Sequence, residues 1–283
     1  MNMVTTIQHP EVSGASEIDA RAVVSPRAVI GDGCRVASGA VVCAGVVLED
    51  DVVVGPNVVF VESAGPTDEP ISRVERGVRI GANATLYAGI TLAAGSLVRP
   101  GAVVTRSVPP KAIVDGNPAA IVGYLGTESS AAASPVFADK RGSAVQQTPV
   151  RGVSVHTFPI VPDLRGNLTV GEFTREIPFV PLRYFMVFGV PSKEVRGEHA
   201  HRECHQFLIC VRGSCAVVAD DGTRRVEISL DAPNRGVHLP PMTWATQYKY
   251  SADALLLVFA SHYYDASDYI RAYTEFAALI RKV

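Results

Sequence analysis

Bulky apolar residues recur every six positions in the first half of the chain: Ile30, Val36, Val42, Leu48, Val54 and Phe60. The series resumes at Ile80, Leu86, Leu92, Val98 and Val104. Two positions before each stands a smaller or aliphatic residue, such as Ala28, Cys34, Ala40, Val78, Ala84 and Ala102. Glycines such as Gly39, Gly55, Gly81 and Gly101 mark the intervals. A helix would space its apolar residues by three and four, and an amphipathic strand by two. A period of six fits a short strand, a corner and the next strand, with one inward residue per face. Three faces close one coil, and stacked coils bury the inward column. The pattern therefore predicts a left-handed parallel β-helix of hexapeptide repeats. Phe60 and Ile80 stand twenty positions apart, so about fourteen residues should leave the coil as a loop. The polar, turn-rich stretch from Val61 to Pro70 fits that loop.

The period of six does not return after residue 126. Residues 127–150 are rich in small and polar types and read as a linker. From about residue 151, β-branched and aromatic runs alternate with turn signals: Gly152–Phe158, Arg183–Val190, Gln206–Val211, Cys215–Ala219, Val226–Leu230 and Ala254–Phe259. Asp220-Asp221-Gly222 reads as a hairpin turn. Only Asp265–Lys282 shows helical spacing, through Tyr269, Ile270, Tyr273, Phe276, Ala277 and Ile280. The chain is thus expected to be mainly β. A β-helix over 1–126 precedes a linker over 127–150, then a barrel or jelly roll over 151–283 with a C-terminal helix.

Composition narrows the function classes. The 283 residues are 47% hydrophobic and 19% charged, with a formal net charge of −2. Such a balance argues against nucleic-acid binding, because nothing would neutralise a phosphate backbone. No run approaches the ~20 apolar residues that cross a membrane, and the opening residues lack a signal-peptide pattern. The five cysteines form no CxxC pair. A reducing cytoplasm is the expected compartment.

The chemistry gathers in Arg196-Gly197-Glu198-His199-Ala200-His201-Arg202-Glu203-Cys204-His205-Gln206. A His-x-His on a strand sets both rings on one face, since side chains alternate. A metal is the first thing such a pair suggests, and it wants further good ligands. Metal-binding cupins have a glutamate where this chain has Gln206, and Thr246 stands where their third histidine would fall. Two histidines without metal make an acid/base pair that titrates near neutral pH. Alternatively they are held in a structural hydrogen-bond network. Cys204, an odd position from His201, should face away from the pocket. Trp244, Tyr263 and Tyr264 read as core.

Two resemblances add to this reading. The segments GPNVVF (55–60), RGVRIGANATLYAGITL (76–92) and GAVVTRSVPPKAIVDGNPAAIVGY (101–124) resemble the sugar N-acyltransferases of nucleotide-sugar biosynthesis, over about residues 20–125. That resemblance implies an acyl-CoA cosubstrate, acetyl-CoA or another, bound between subunits of a trimer. It also implies that Asn83 contacts the reacting amine. Glu62 and Ser63 stand where the family has an Asn-Asp pair, and no histidine occurs between His9 and His156. Glu62 would then serve as base, or the site is silent; Asn83 is otherwise a turn residue.

The segments DLRGNL (163–168), RGEHAHRECHQFLICVRGSCAVVADDG (196–222), NRGVHLPPMTW (234–244) and LLLVFASHYYDASDYIRAYTEF (255–276) resemble the dTDP-sugar 3,4-ketoisomerases, which are cupins. The activity implied converts dTDP-4-keto-6-deoxyglucose to its 3-keto isomer with no cofactor or metal. His199 and His201 would relay the proton, with His199 the preferred base. Tyr184 and Arg196 would hold the sugar or its enediolate, and Arg165, Arg183 and Gln206 would contact the dTDP-sugar. Phe185 replaces a tyrosine common in the family. The two resemblances together imply a homotrimer, or a hexamer built as a dimer of trimers. The protein is then either bifunctional or an isomerase displayed on a silent β-helix scaffold. A sugar-binding cupin without turnover is the third reading.

Overall fold

The computed structural model describes residues 16–61, 72–129, 143–191 and 194–281. Two compact units divide the chain, residues 1–125 and 126–283. The first is a parallel β-helix whose strands are mostly two residues long, one exposed or half-buried and one buried. Three parallel sheets form its faces. One runs through Val36, Val54, Ile80 and Val98 in register. Ala40, Val46, Val52, Val58, Val78 and Ala84 are fully buried between the faces. Each valine so buried contributes roughly 1.5–3 kcal/mol, which is why stacking beats the weak propensity of so short a strand.

The period resumes one rung earlier than expected. Ser72–Val74 is a strand in register with Val46–Leu48, and Val74 is completely buried, six positions before Ile80. Of the expected loop, residues 62–70 lie outside the described residues. Ser72 hid this rung, because a polar residue fills the usually aliphatic position; its hydroxyl donates to the Tyr87 carbonyl at 3.2 Å.

The second unit holds two six-stranded sheets. The first runs, in spatial order, Thr127–Ser129, Arg225–Leu230, Cys215–Asp220, Trp244–Tyr248, Arg196–His201 and Tyr269–Ile270. The second runs Ala144–Gln147, Ser154–Thr157, Arg235–Leu239, Gln206–Arg212, Leu255–Ala260 and Arg183–Phe188. A core of Val155, Leu208, Val217, Ile228, Val237 and Leu256 binds them together. Outside the second sheet, Phe158 and Ile177 pack on Phe207 and Ile209. This is the expected cupin barrel.

Two features depart from the sequence reading. Thr127–Ser129 and Ala144–Gln147, within the expected linker, pair as edge strands with Arg225–Glu227 and Ser154–Thr157. An edge strand needs one partner and no buried face, and Ala144–Gln147 is exposed throughout. The helix expected from Asp265 spans only Tyr273–Ile280. Ahead of it come a 3-10 turn at Ala266–Asp268, capped by the Asp265 side chain, and an extended Tyr269–Ile270. Pairing of Tyr269–Ile270 with Ala200–His201 overrides the helical spacing. Ala200, Ile270 and Phe276 make a small core on that side of the sheet. His199 and His201, alternating with Ala200, therefore face into the barrel. Among the described residues, no helix is long and apolar enough to cross a membrane.

Candidate active site

A bulge shapes the strand that carries the histidines. Gly197 pairs with Thr246 and His199 with the neighbouring Ala245, so Glu198 is the extra residue. Gly197 sits at φ +83°, and a Cβ there would come 2.7 Å from the Ala245 carbonyl oxygen. Only glycine fits.

Beyond the bulge, His199 Nδ1 lies 2.8 Å from the Gly197 carbonyl oxygen. A carbonyl only accepts, so Nδ1 carries a proton and Nε2 has the lone pair. His201 Nδ1 lies 2.7 Å from an Asp268 carboxylate oxygen. The Asp268 carboxyl is held below its ordinary value by the Glu203 backbone N–H and by His201, against the opposing effect of burial. Nδ1 of His201 therefore donates, and its Nε2 is also the lone-pair nitrogen. The two Nε2 atoms face each other at 3.2 Å. One proton between them makes a hydrogen bond; none leaves two lone pairs opposed. Gln206 Nε2 lies 3.0 Å from His201 Nε2 and donates to the neutral ring. With its amide reversed it would accept from a protonated one.

Burial lowers the His199 pKa to about 4, helped by the positive charge of Arg271 and by His201. His201 is lowered by burial as well, opposed by its bond to Asp268. At neutral pH the pair is uncharged and able to accept one proton into a shared position.

Aromatic and cationic groups enclose the pair. The Tyr269 ring lies 4.9 Å from His199 and 4.3 Å from His201, centroid to centroid. Arg271 covers the Tyr269 ring at 4.4 Å. Arg183 donates to the Tyr269 hydroxyl at 3.4 Å and lies over the Tyr264 ring at 5.5 Å. Its Nε is buried without a hydrogen-bond partner among the described residues. A buried guanidinium N–H left unsatisfied beside a proton-handling pair suits an anionic or carbonyl ligand.

The comparisons with known proteins fall on the same residues. Residues 151–281 match the family described as FdtA: WxcM-like, C-terminal. The TDP-4-oxo-6-deoxy-alpha-D-glucose-3,4-oxoisomerase of Aneurinibacillus thermoaerophilus is 40% identical over 129 residues, covering 46% of this chain and 93% of that protein. This chain belongs to the 3,4-oxoisomerase family. Solved relatives include a 3,4-ketoisomerase from Helicobacter canadensis, 35% identical, with a TM-score of 0.45, covering 46% of this chain and 98% of that one. QdtA from Thermoanaerobacterium thermosaccharolyticum, a sugar 3,4-ketoisomerase solved with TDP, is 32% identical, with a TM-score of 0.45, covering 47% and 96%. Residues 27–62 match the bacterial transferase hexapeptide repeat, and 72–106 the hexapeptide repeat of succinyl-transferase.

In this oxoisomerase the fold gathers four of the expected residues: His199, His201, Gln206 and Arg183. Three others stand apart. Tyr184 follows Arg183 on its strand, so it points to the opposite face, and it is 66% exposed. Arg165 pairs with Asp163 at 2.6 Å on an exposed hairpin. Arg196 is exposed on the far side of the bulge, where its charge acts on the buried Tyr250 phenol. Sequence reasoning missed Asp268, Tyr269 and Arg271 as site residues. The DYIR segment carried them, but a helical reading of 265–282 left them no route to the histidines.

Cys204 lies beside His201 and Asp268. The chain leaves its strand at a bend over Arg202–Glu203, so strand parity lapses. The Cys204 sulfur then lies within 4.8 Å of ligand atoms of His201 and Asp268. Tyr263 and Tyr264, expected in the core, are 72% and 64% exposed, whereas Trp244 packs on Tyr273 and Phe276.

In the β-helix, Asn83 has φ +58° and is one rung of a corner repeated by Gly39, Asn57 and Gly101, all at positive φ. Its N–H donates to the Pro56 carbonyl at 2.9 Å, as that of Asn57 does to Ser38 at 3.0 Å. The corner alone accounts for an asparagine there. Its side chain is exposed. Glu62 lies outside the described residues.

A second histidine group sits outside the barrel wall. His205 Nδ1 lies 3.0 Å from His238 Nε2, with the rings stacked at 5.2 Å against Phe179. Burial, then the nearby His205 and His156, lower His238 to about 4 from its ordinary 6.5. Below pH 6.5 the unfolded chain takes up a proton that folded His238 refuses. Its contribution to stability is therefore full above that pH and declines as pH falls towards 4. Urea midpoints measured from pH 7.5 to 5 should fall, and less steeply for His238→Gln. Equal slopes for the two proteins would sink this assignment.

Proposed function

We propose that residues 151–281 catalyse the 3,4-ketoisomerisation of a dTDP-linked 4-keto-6-deoxyhexose, with His199 and His201 moving the proton. The observation that carries the reading is the opposed Nε2 pair, each ring's tautomer set by what its Nδ1 touches. A C3 hydrogen beside a C4 ketone is acidic enough for a positioned imidazole to remove. His199 Nε2 takes that proton, and the C3–H electrons form the C3–C4 double bond as the C4 carbonyl becomes an oxyanion. The captured proton is shared with His201, whose gained charge Asp268 balances. Return of the captured proton to C4, with the O3 proton passing to the O4 oxyanion, yields the 3-keto sugar with a C4 hydroxyl. Arg183 and Gln206 contact the substrate, and the unsatisfied Arg183 Nε supports that role.

For the β-helix we propose acyl transfer from acetyl-CoA or another acyl-CoA to the amine of a dTDP-3-amino-3,6-dideoxyhexose, supported by the two hexapeptide-transferase matches. That amine would be installed on the isomerase product by a separate aminotransferase. A nuclear magnetic resonance time course tests both steps. The full chain should convert dTDP-4-keto-6-deoxyglucose to a 3-keto sugar, and an N-acylated sugar should follow once an aminotransferase and acetyl-CoA are added. No 3-keto product would overturn the first reading. A 3-keto product without acylation, even with longer acyl-CoAs, would make the β-helix a scaffold.

A further inference from the structure

We propose that His201, Cys204 and Asp268 form a site for a soft divalent cation, zinc above all, and that its occupation switches the isomerase off. The proposal rests on the reading that His199 and His201 carry the proton.

An imidazole nitrogen, a thiolate and a carboxylate are the three kinds of ligand that zinc prefers. Here one atom of each lies within 4.8 Å of the other two. Tetrahedral zinc, with bonds of about 2.0–2.3 Å, sets its ligands about 3.3–3.7 Å apart. His201 Nδ1 and Asp268 are already at 2.7 Å, so a small opening there and an approach of at most about 1 Å by the sulfur complete the set. Among the described residues, the thiol's hydrogen-bond partners are the His205 carbonyl at 3.3 Å and the Ser261 hydroxyl at 3.9 Å, both weak. His201 and Cys204 are 5% and 2% exposed, while the Asp268 side chain is 15% exposed. The carboxylate thus offers the way in, and a water fills the fourth position.

Inhibition follows from proton bookkeeping. Zinc binding releases the thiol proton and replaces the proton on His201 Nδ1. A neutral His201 must then carry its proton on Nε2, 3.2 Å from His199 Nε2. The lone pair that His199 needs as a base accepts that proton's hydrogen bond instead. Asp268, now a metal ligand, no longer balances charge on His201. The site thus blocks the pair through a tautomer change, without entering the substrate pocket.

Cobalt gives a readout that does not depend on turnover. Titrating the reduced full chain with Co²⁺ should produce a thiolate-to-cobalt charge-transfer band, saturating near one equivalent and abolished by zinc. Cys204→Ala and Cys204→Ser should both lose the band, since neither side chain offers a thiolate. This comparison isolates Cys204 from the buried Cys210 and Cys215. The zinc concentration that halves isomerisation should rise at least tenfold in Cys204→Ala, relative to that variant's own zinc-free rate. A wild-type chain without the band, or unchanged zinc sensitivity in Cys204→Ala, would overturn the site. A band in an active chain that zinc fails to inhibit would overturn the switch. A band in a chain with no isomerase activity would uphold the site and overturn the functional reading beneath it.

Discussion

His199→Asn should lower the isomerisation rate by about 10²–10⁴-fold, the range for removal of a general base. The asparagine amide is small enough for the pocket and can still donate to the Gly197 carbonyl, replacing the 2.8 Å bond that orients the imidazole. What it lacks is a basic lone pair facing His201. The groups expected to contact substrate, Arg183 and Gln206, stay in place, so KM should move by no more than a few-fold and the loss should fall on kcat. The variant should also be the more resistant of the two to acid. It removes a buried ring whose pKa is held at about 4 and which therefore opposes folding once the unfolded chain protonates. Steady-state rates on the 4-keto sugar decide the point. Activity within a few-fold of wild type would end the case for His199 as base.

Asp268→Asn should cost about 10²-fold in kcat, for a reason specific to its two bonds. One carboxylate oxygen accepts from His201 Nδ1 at 2.7 Å and the other from the Glu203 backbone N–H at 2.7 Å. An amide has one acceptor and one donor. If its oxygen serves His201, its NH₂ group opposes the Glu203 N–H. If it is turned about, its NH₂ group drives His201 into the tautomer with the proton on Nε2. Asp268 is a positioning residue, acting through His201, and a pH profile separates that role from a merely structural one. Removing the carboxylate removes what raises the His201 pKa, so the acidic limb of kcat should shift to lower pH. A lower rate with an unmoved limb would make Asp268 structural only.

The β-helix was legible because its signal is redundant. Each rung repeats the same buried position, so one polar substitution at Ser72 hid a single rung and left the architecture plain. The His-x-His pair was legible for a similarly local reason: strand alternation fixes two neighbours without any tertiary knowledge. Asp268 could not be read this way. Its turn and the strand after it exist because Tyr269–Ile270 pairs with Ala200–His201, and the local spacing of 265–282 favours a helix. Tyr184 failed for the opposite reason. It adjoins Arg183, and the resemblance could not say which of two alternating residues faces inward. The nearness of Cys204 to Asp268 was hidden by the bend over Arg202–Glu203, which breaks strand parity.

The carboxylate that sets the His201 tautomer is translated well after the ring it binds. Asp268 follows His201 by 67 residues in the chain, and the strands at Gln206–Arg212, Cys215–Asp220 and Trp244–Tyr248 are all translated between them. Throughout that interval His201 exists without the partner that prepares it, whereas the Gly197 carbonyl that orients His199 is already made. A nascent chain halted after Ala260 would hold most of the barrel and its imidazoles with no fixed tautomer on His201. The prepared state of His201 thus waits on the docking of 265–281, the segment that carries Asp268.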